Sequence, residues 1–387
     1  MALLLCTLSV SCTKDSALLP LERGALIAHA LNGTLNKEEI IDRITELDAT
    51  ELVQQDVAYH SITYRTICNG KPIDSKGLLI IPVGMKEVDL IAYFHGTEIP
   101  SKLLKMENVT PSQYFGDKKT HRDVRNMGLT WAAAGFAVFL PDYIGFGITS
   151  QEDHPYVYYP EMFQSNYDGL LAVKSFLKEN GYGYDNRLFL TGWSQGAGAS
   201  LSAHRYIQEN HADAFQIIAS SGLAGPYNFH RFAMSALANQ EEKVDILPIL
   251  SWGLFALNKY STLKRPTDQI YAYPVFDQMS ALIVPSMIPK DVFNPLLLKK
   301  ITDGSDIALV DELVKNSFHE HWKPVGRVYL HHGDIDNLVP YYNSIDAKNG
   351  LTASGGNVKL YTYPGGKHDT ELGSFIVNTL NDFKPLR

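Results

Sequence analysis

RLFLTGWSQGAGAS, residues 187–200, is the stretch whose reading decides the fold. A mostly apolar run leads straight into Gly192-Trp193-Ser194-Gln195-Gly196, and small residues follow. A Gly-x-Ser-x-Gly pentapeptide alone is a pattern that chance often supplies. Context sharpens it, because a strand-like segment precedes it and a small-residue helical segment, GAGASLSAH, follows. A serine on so sharp a strand-to-helix turn must take strained backbone angles, and only small neighbours let the helix approach the strand. Such a turn lifts the Ser194 hydroxyl above the carboxyl end of a sheet, at a helix N-terminus. There the amide of Gln195 can donate to a developing oxyanion. The competing reading is a glycine-rich connection holding an incidental serine.

A serine hydroxyl is a poor nucleophile unless a base takes its proton and a carboxylate holds that base. The later chain offers both, in the order acid then histidine. GDIDNLVP (333–340) follows the strand-like RVYLHH, and GGKHDTEL (365–372) follows VKLYTYP. Among 13 histidines, His368 is the one at the position this order requires. Asp336 fits a Gly-x-x-Asp-x-x-Val-Pro pattern, with Gly333, Val339 and Pro340 in register. Asp334 is its rival and reads as a turn residue bonding its own backbone. Asp369, next to His368, is poorly placed to orient the ring.

Outward from these motifs, apolar runs and helical patterns alternate. Strand candidates are 59–67, 77–83, 89–94, 136–141, 187–192, 215–221, 327–332 and 358–364. The first alternates polar and apolar residues, as a half-exposed antiparallel edge strand does; most later ones are continuous apolar runs, expected where helices cover both faces. This alternation predicts an α/β fold with a mostly parallel, doubly wound sheet. The core spans 58–221 and 326–387. Residues 222–325 lack clear strands and read as a mainly helical cap inserted late in the chain. Residues 13–57 form an N-terminal segment in which NKEEIIDRITEL suits an amphipathic helix.

The 387 residues carry 45% hydrophobic and 20% charged side chains with a formal net charge of −8. That balance suits a globular protein and offers no basic stripe for nucleic acid. Three cysteines, Cys6, Cys12 and Cys68, make neither a disulfide framework nor a CxxC-type zinc site. MALLLCTLSVSC has the length of a signal-peptide core and is too short to span a bilayer. Its approach to Cys12 resembles the acylated cysteine of bacterial lipoproteins, although no Lys or Arg precedes Lys14. Residues 1–12 are therefore expected to direct export, either to the cell envelope with Cys12 as the lipidation site and a lipid anchor as the only membrane contact, or, as an unlipidated secretory signal, to a periplasmic or secreted state. Cys68 reads as a small buried hydrophobe.

From about residue 58 onward the chain resembles the α/β-hydrolases, and within them the secretory-lipase-like esterases. YFHGT, LPDYIGFG, HPY (154–156), GWSQGAG, HGDIDNLVP and GGKH carry the likeness. Prolyl-oligopeptidase-like serine peptidases use similar machinery and provide the alternative. The resemblance implies hydrolysis of small-molecule or lipid carboxylic esters with no cofactor and no metal, by a Ser194–Asp336–His368 triad. It also implies that the loop after strand 89–94 supplies the second oxyanion amide. Thr97 is expected in that role, with Gly96 as the rival and His95 as a buttress. Asp142 reads as structural. His154 and its aromatic neighbours read as a packed loop more than a cleft wall. His319 and His321 do not make a metal pattern. A non-catalytic binding protein on the same scaffold is the remote alternative.

Overall fold

The computed structural model describes residues 22–100 and 110–387. Its centre is a single nine-stranded sheet. The strands are β1 (Leu26–Leu35), β2 (Val57–Cys68), β3 (Lys71–Pro82), β4 (Leu90–Phe94), β5 (Ala137–Pro141), β6 (Arg187–Trp193), β7 (Gln216–Leu223), β8 (Arg327–Gly333) and β9 (Asn357–Tyr363). They lie in the order β1-β2-β3-β5-β4-β6-β7-β8-β9. The pairings β1–β2, β2–β3 and β3–β5 are antiparallel, and all those from β5 to β9 are parallel. Every residue of β4 and β5 is buried, as sheet centres covered on both faces require.

Side chains of successive strand residues point to opposite faces, so one strand feeds two cores. Leu90, Ala92 and Phe94 pack on one face with helices α3 (Tyr159–Glu179) and α4 (Gln195–Asn210). Ile91 and Tyr93 face the other core, beside α2 (Leu129–Ala133) and α12 (Leu372–Phe383). Trp131 of α2 is fully buried there, and its indole nitrogen donates to the Ile376 carbonyl of α12 at 3.2 Å.

Between β7 and β8 the chain leaves the sheet. It forms α5 (Phe229–Ala238), α6 (Leu247–Tyr260), α7 (Gln278–Leu282), α8 (Pro289–Val292), α9 (Pro295–Thr302) and α10 (Ile307–Lys315). Helix α11 (Tyr342–Ala353) joins β8 to β9. Within this helical cap α6 is nearly all apolar, and its Trp252 stacks on Tyr156 with ring centres 3.9 Å apart.

Two expectations at the N-terminal side are corrected. The segment 59–67 is not the sheet edge, because β1 pairs along it from Leu26↔Tyr64 to Leu35↔Val57. The helix expected over NKEEIIDRITEL is only α1 (Lys37–Ile41), opened by a capping box between Asn36 and Glu39. It ends early because the side-chain oxygen of Asn126 takes the amides of Thr45 and Glu46, at 2.8 and 2.9 Å. The expectations for Cys6 and Cys12 lie outside the described residues.

Candidate active site

Ser194 joins β6 to α4 with φ +56° and ψ −121°, a conformation costly for any residue with a Cβ. The sequence supports it through its two glycines. A Cβ on Gly192 would run into the Gly196 carbonyl, and one on Gly196 into the Phe94 carbonyl. Helix α4 can therefore press against the ends of β4 and β6 only with glycine at both positions.

Two further loops converge on this turn. The Ser194 hydroxyl donates to His368 Nε2 at 2.9 Å, and His368 Nδ1 donates to Asp336 Oδ2 at 2.8 Å. Asp336 Oδ1 accepts the amides of Leu338 and Val339 at 2.8 and 3.0 Å. Burial pushes the Asp336 carboxyl up, but hydrogen bonds from His332 and His368 outweigh it. The carboxyl is held well below the usual carboxylate range. Asp336 is thus an ionised, fully hydrogen-bonded anchor for the ring that touches the serine.

The structure separates the two candidate acids. Asp334 is exposed, and its Oδ1 accepts the Gly365 amide at 2.7 Å, across to the histidine loop rather than to its own backbone. Asp369 faces away, 3.7 Å from Arg122 Nη1. In the β4 loop, the Gly96 amide is occupied by Asp123 Oδ2 at 3.1 Å. Thr97 lines the cavity that also holds Ser194, Gln195 and His368, and its hydroxyl lies 2.8 Å from the Tyr156 hydroxyl. His95 stacks on Tyr143, and burial lowers it to about 4, so it braces that loop as a neutral ring.

His154 is buried and accepts from the Gln195 side-chain amide at 2.6 Å. It therefore fixes Gln195 from behind, while Tyr156 and Val157 from the same loop reach the cavity wall. Asp142 is buried and accepts from Ser112, tying two loops together; burial raises it to about 6 against those hydrogen bonds. Cys68 is buried, its thiol pushed up to about 11 by burial. His319 and His321 flank Glu320, at 3.3 and 3.1 Å.

Beside Ser194 and His368 lies a cavity of about 220 Å3. Its far wall is apolar and belongs to the cap: Phe229, Phe232, Ile246, Ile249 and Leu250. Three contributors were not singled out from sequence. Trp193 donates its indole N–H to the His368 carbonyl at 3.1 Å. The Arg122 guanidinium lies 5.6 Å from the Trp193 ring and bonds Glu46 at 2.8 Å. His332 touches Asp336 from inside β8. The one signal in the chain was position, Trp193 beside the serine and His332 beside Gly333.

No known family model matches the chain, and no curated protein matches it in sequence. Solved structures do match. The rice cell wall degrading esterase LipA from Xanthomonas oryzae aligns at 20% identity and TM-score 0.75, over 94% of this chain and 96% of that one. A Legionella pneumophila protein assigned to the hydrolases aligns at 21% identity and TM-score 0.78, over 93% and 98%. Candida antarctica lipase A in its closed state aligns at 16% identity and TM-score 0.61, over 90% and 78%. The chain has the α/β-hydrolase fold.

Proposed function

We propose that this chain is a serine hydrolase that cleaves carboxylic esters through an acyl-enzyme. The observation that carries this reading is the unbroken line from Ser194 Oγ through His368 to Asp336, opening into an apolar cavity. Ser194 attacks the ester carbonyl as His368 takes its proton, and Asp336 steadies the imidazolium. His368 then protonates the departing alcohol and later draws a proton from the water that frees the acid. The amides of Gln195 and Thr97 receive the oxyanion. The occupation of the Gly96 amide by Asp123 favours Thr97 for that place.

The cap wall favours an ester with an apolar acyl group over a peptide. An aminopeptidase needs a carboxylate to hold the substrate's free ammonium. Among the described residues lining the cavity, none is a carboxylate, and His368 is the only titratable base. The proposal includes a small-molecule or lipid ester as partner, export directed by residues 1–12, and acylation at Cys12. No helix among the described residues is long and apolar enough to cross a membrane.

The test is labelling with a fluorophosphonate, mapped by mass spectrometry, beside p-nitrophenyl ester and amino-acid amide assays. Label on Ser194, ester turnover and its loss by about four orders of magnitude in Ser194→Ala are expected. Normal ester turnover by Ser194→Ala would overturn the reading, and amide turnover exceeding ester turnover would replace it with the peptidase.

A further inference from the structure

Asp336 Oδ2 meets two imidazoles, one on each side. His368 Nδ1 lies at 2.8 Å and His332 Nε2 at 3.2 Å. His332 is wholly buried at the end of β8, and its protonation pattern follows from its neighbours. Nε2 also lies 2.8 Å from the Val339 carbonyl, which can only accept, so Nε2 carries the proton. That N–H is shared between the carbonyl and the Asp336 carboxylate. Nδ1 then accepts from the Ser344 hydroxyl of α11, 2.7 Å away. A continuous chain results, from Ser344 through His332 to Asp336 and on through His368 to Ser194.

We infer that His332 is a positioning residue for the reaction: it holds Asp336 by a second imidazole and sets how strongly the carboxylate supports His368. This rests on the serine-hydrolase reading. A carboxylate with one donor fewer is a stronger base toward its remaining partners. Removing the His332 donor therefore shifts negative charge toward His368, stabilises the imidazolium and moves the acid limb of the rate profile to higher pH. It also frees the carboxylate to rotate about its remaining partners. The groups facing this pair are few. Tyr341 packs its ring 5.6 Å from His332, Ser344 approaches from α11, and Trp193 lies against His368, whose neighbour Asp369 is matched by Arg122.

The experiment reads kcat/KM for p-nitrophenyl butyrate against pH in three variants. His332→Leu is expected to lower kcat/KM about tenfold and to raise the acid limb by roughly half a pH unit or more. His332→Gln keeps an N–H near the Nε2 position and is expected to hold the wild-type limb. Ser344→Ala releases the tautomer without touching Asp336 and is expected to raise the limb by a smaller step, with the fold intact. The Ser344→Ala result stands on its own should His332→Leu not fold. An unmoved limb in Ser344→Ala, or a His332→Gln enzyme as impaired as His332→Leu, would overturn the inference. Fluorophosphonate labelling of Ser194 in each variant keeps the outcomes apart: loss of labelling in the wild type indicts the hydrolase reading, whereas retained labelling with an unmoved limb indicts only His332.

Discussion

The indole N–H of Trp193 lies 3.1 Å from the carbonyl oxygen of His368, so the residue before Ser194 holds the residue whose ring touches the Ser194 hydroxyl. The same ring packs 5.8 Å from the imidazole and closes against Gly96, where an added Cβ would meet the indole at 3.0 Å. One side chain thus braces both the His368 loop and the β4 loop beside Ser194, and Arg122 covers its outer face and ties it to Glu46.

Trp193→Phe retains most of the ring and removes the donor. Loss of one net hydrogen bond of about 1 kcal/mol predicts roughly a fivefold fall in kcat from a less fixed His368, with KM for short esters nearly unchanged. Steady-state kinetics beside thermal melts check it. A fall in melting temperature with kcat intact would show that the bond serves stability alone.

The two neighbouring aspartates separate by role. Asp336→Asn leaves the ring unsupported in the wrong tautomer and is expected to lower kcat by about four orders of magnitude. Asp334→Asn keeps an oxygen for the Gly365 amide and should stay within about threefold of wild type. Similar losses in both variants would refute the assignment of the acid.

Asp142 makes a prediction about stability and pH. Its carboxyl is raised to about 6 in the folded state from an ordinary value of 3.8. Between those values the folded chain holds more protons than the unfolded one, so this group's contribution falls as pH rises through that window and stays low at neutrality. Asp142→Asn keeps an acceptor for the Ser112 amide and removes the buried charge. Chemical denaturation should then lose part of its slope between pH 4 and 6, with a gain at pH 7 of about 1 kcal/mol or more. A variant less stable than wild type at pH 7 would count against this account.

Under the ester-hydrolase proposal, the apolar cap wall of the cavity is expected to set acyl preference. Phe232→Ala removes an aromatic ring from the cap wall and should shift the best p-nitrophenyl ester toward longer acyl chains by two or more carbons, at a stability cost of about 2–4 kcal/mol. An unchanged chain-length profile would mean that the acyl group lies elsewhere.

Eight of the nine strands were legible because their apolar runs are local and bounded by turn residues. β1 was not, since four consecutive residues, Ala28 to Leu31, face solvent and leave no apolar period to read. The helix over residues 36–47 carried a true start signal in Asn36 and Glu39, but its end depends on Asn126, some eighty residues away. Asp334 was placed on the right turn, yet its partner proved to be Gly365 in another loop.

The order of Ser194, Asp336 and His368 and the strand-to-helix rhythm that carries them were determined by the sequence itself. Glycines at a sharp turn and apolar runs of strand length report backbone geometry directly where they occur. Tertiary structure alone decided what surrounds them: β1 on the edge of the sheet, the indole of Trp193 on the His368 loop, and His332 on the far side of Asp336. β8 shows why. His331 and His332 are consecutive, yet the pleat sends one toward Tyr361 and Phe375 and the other toward Ser344 and Asp336. Which of two adjacent histidines reaches the acid is fixed by which face of the sheet the next helix covers, and that is a property of the packed molecule.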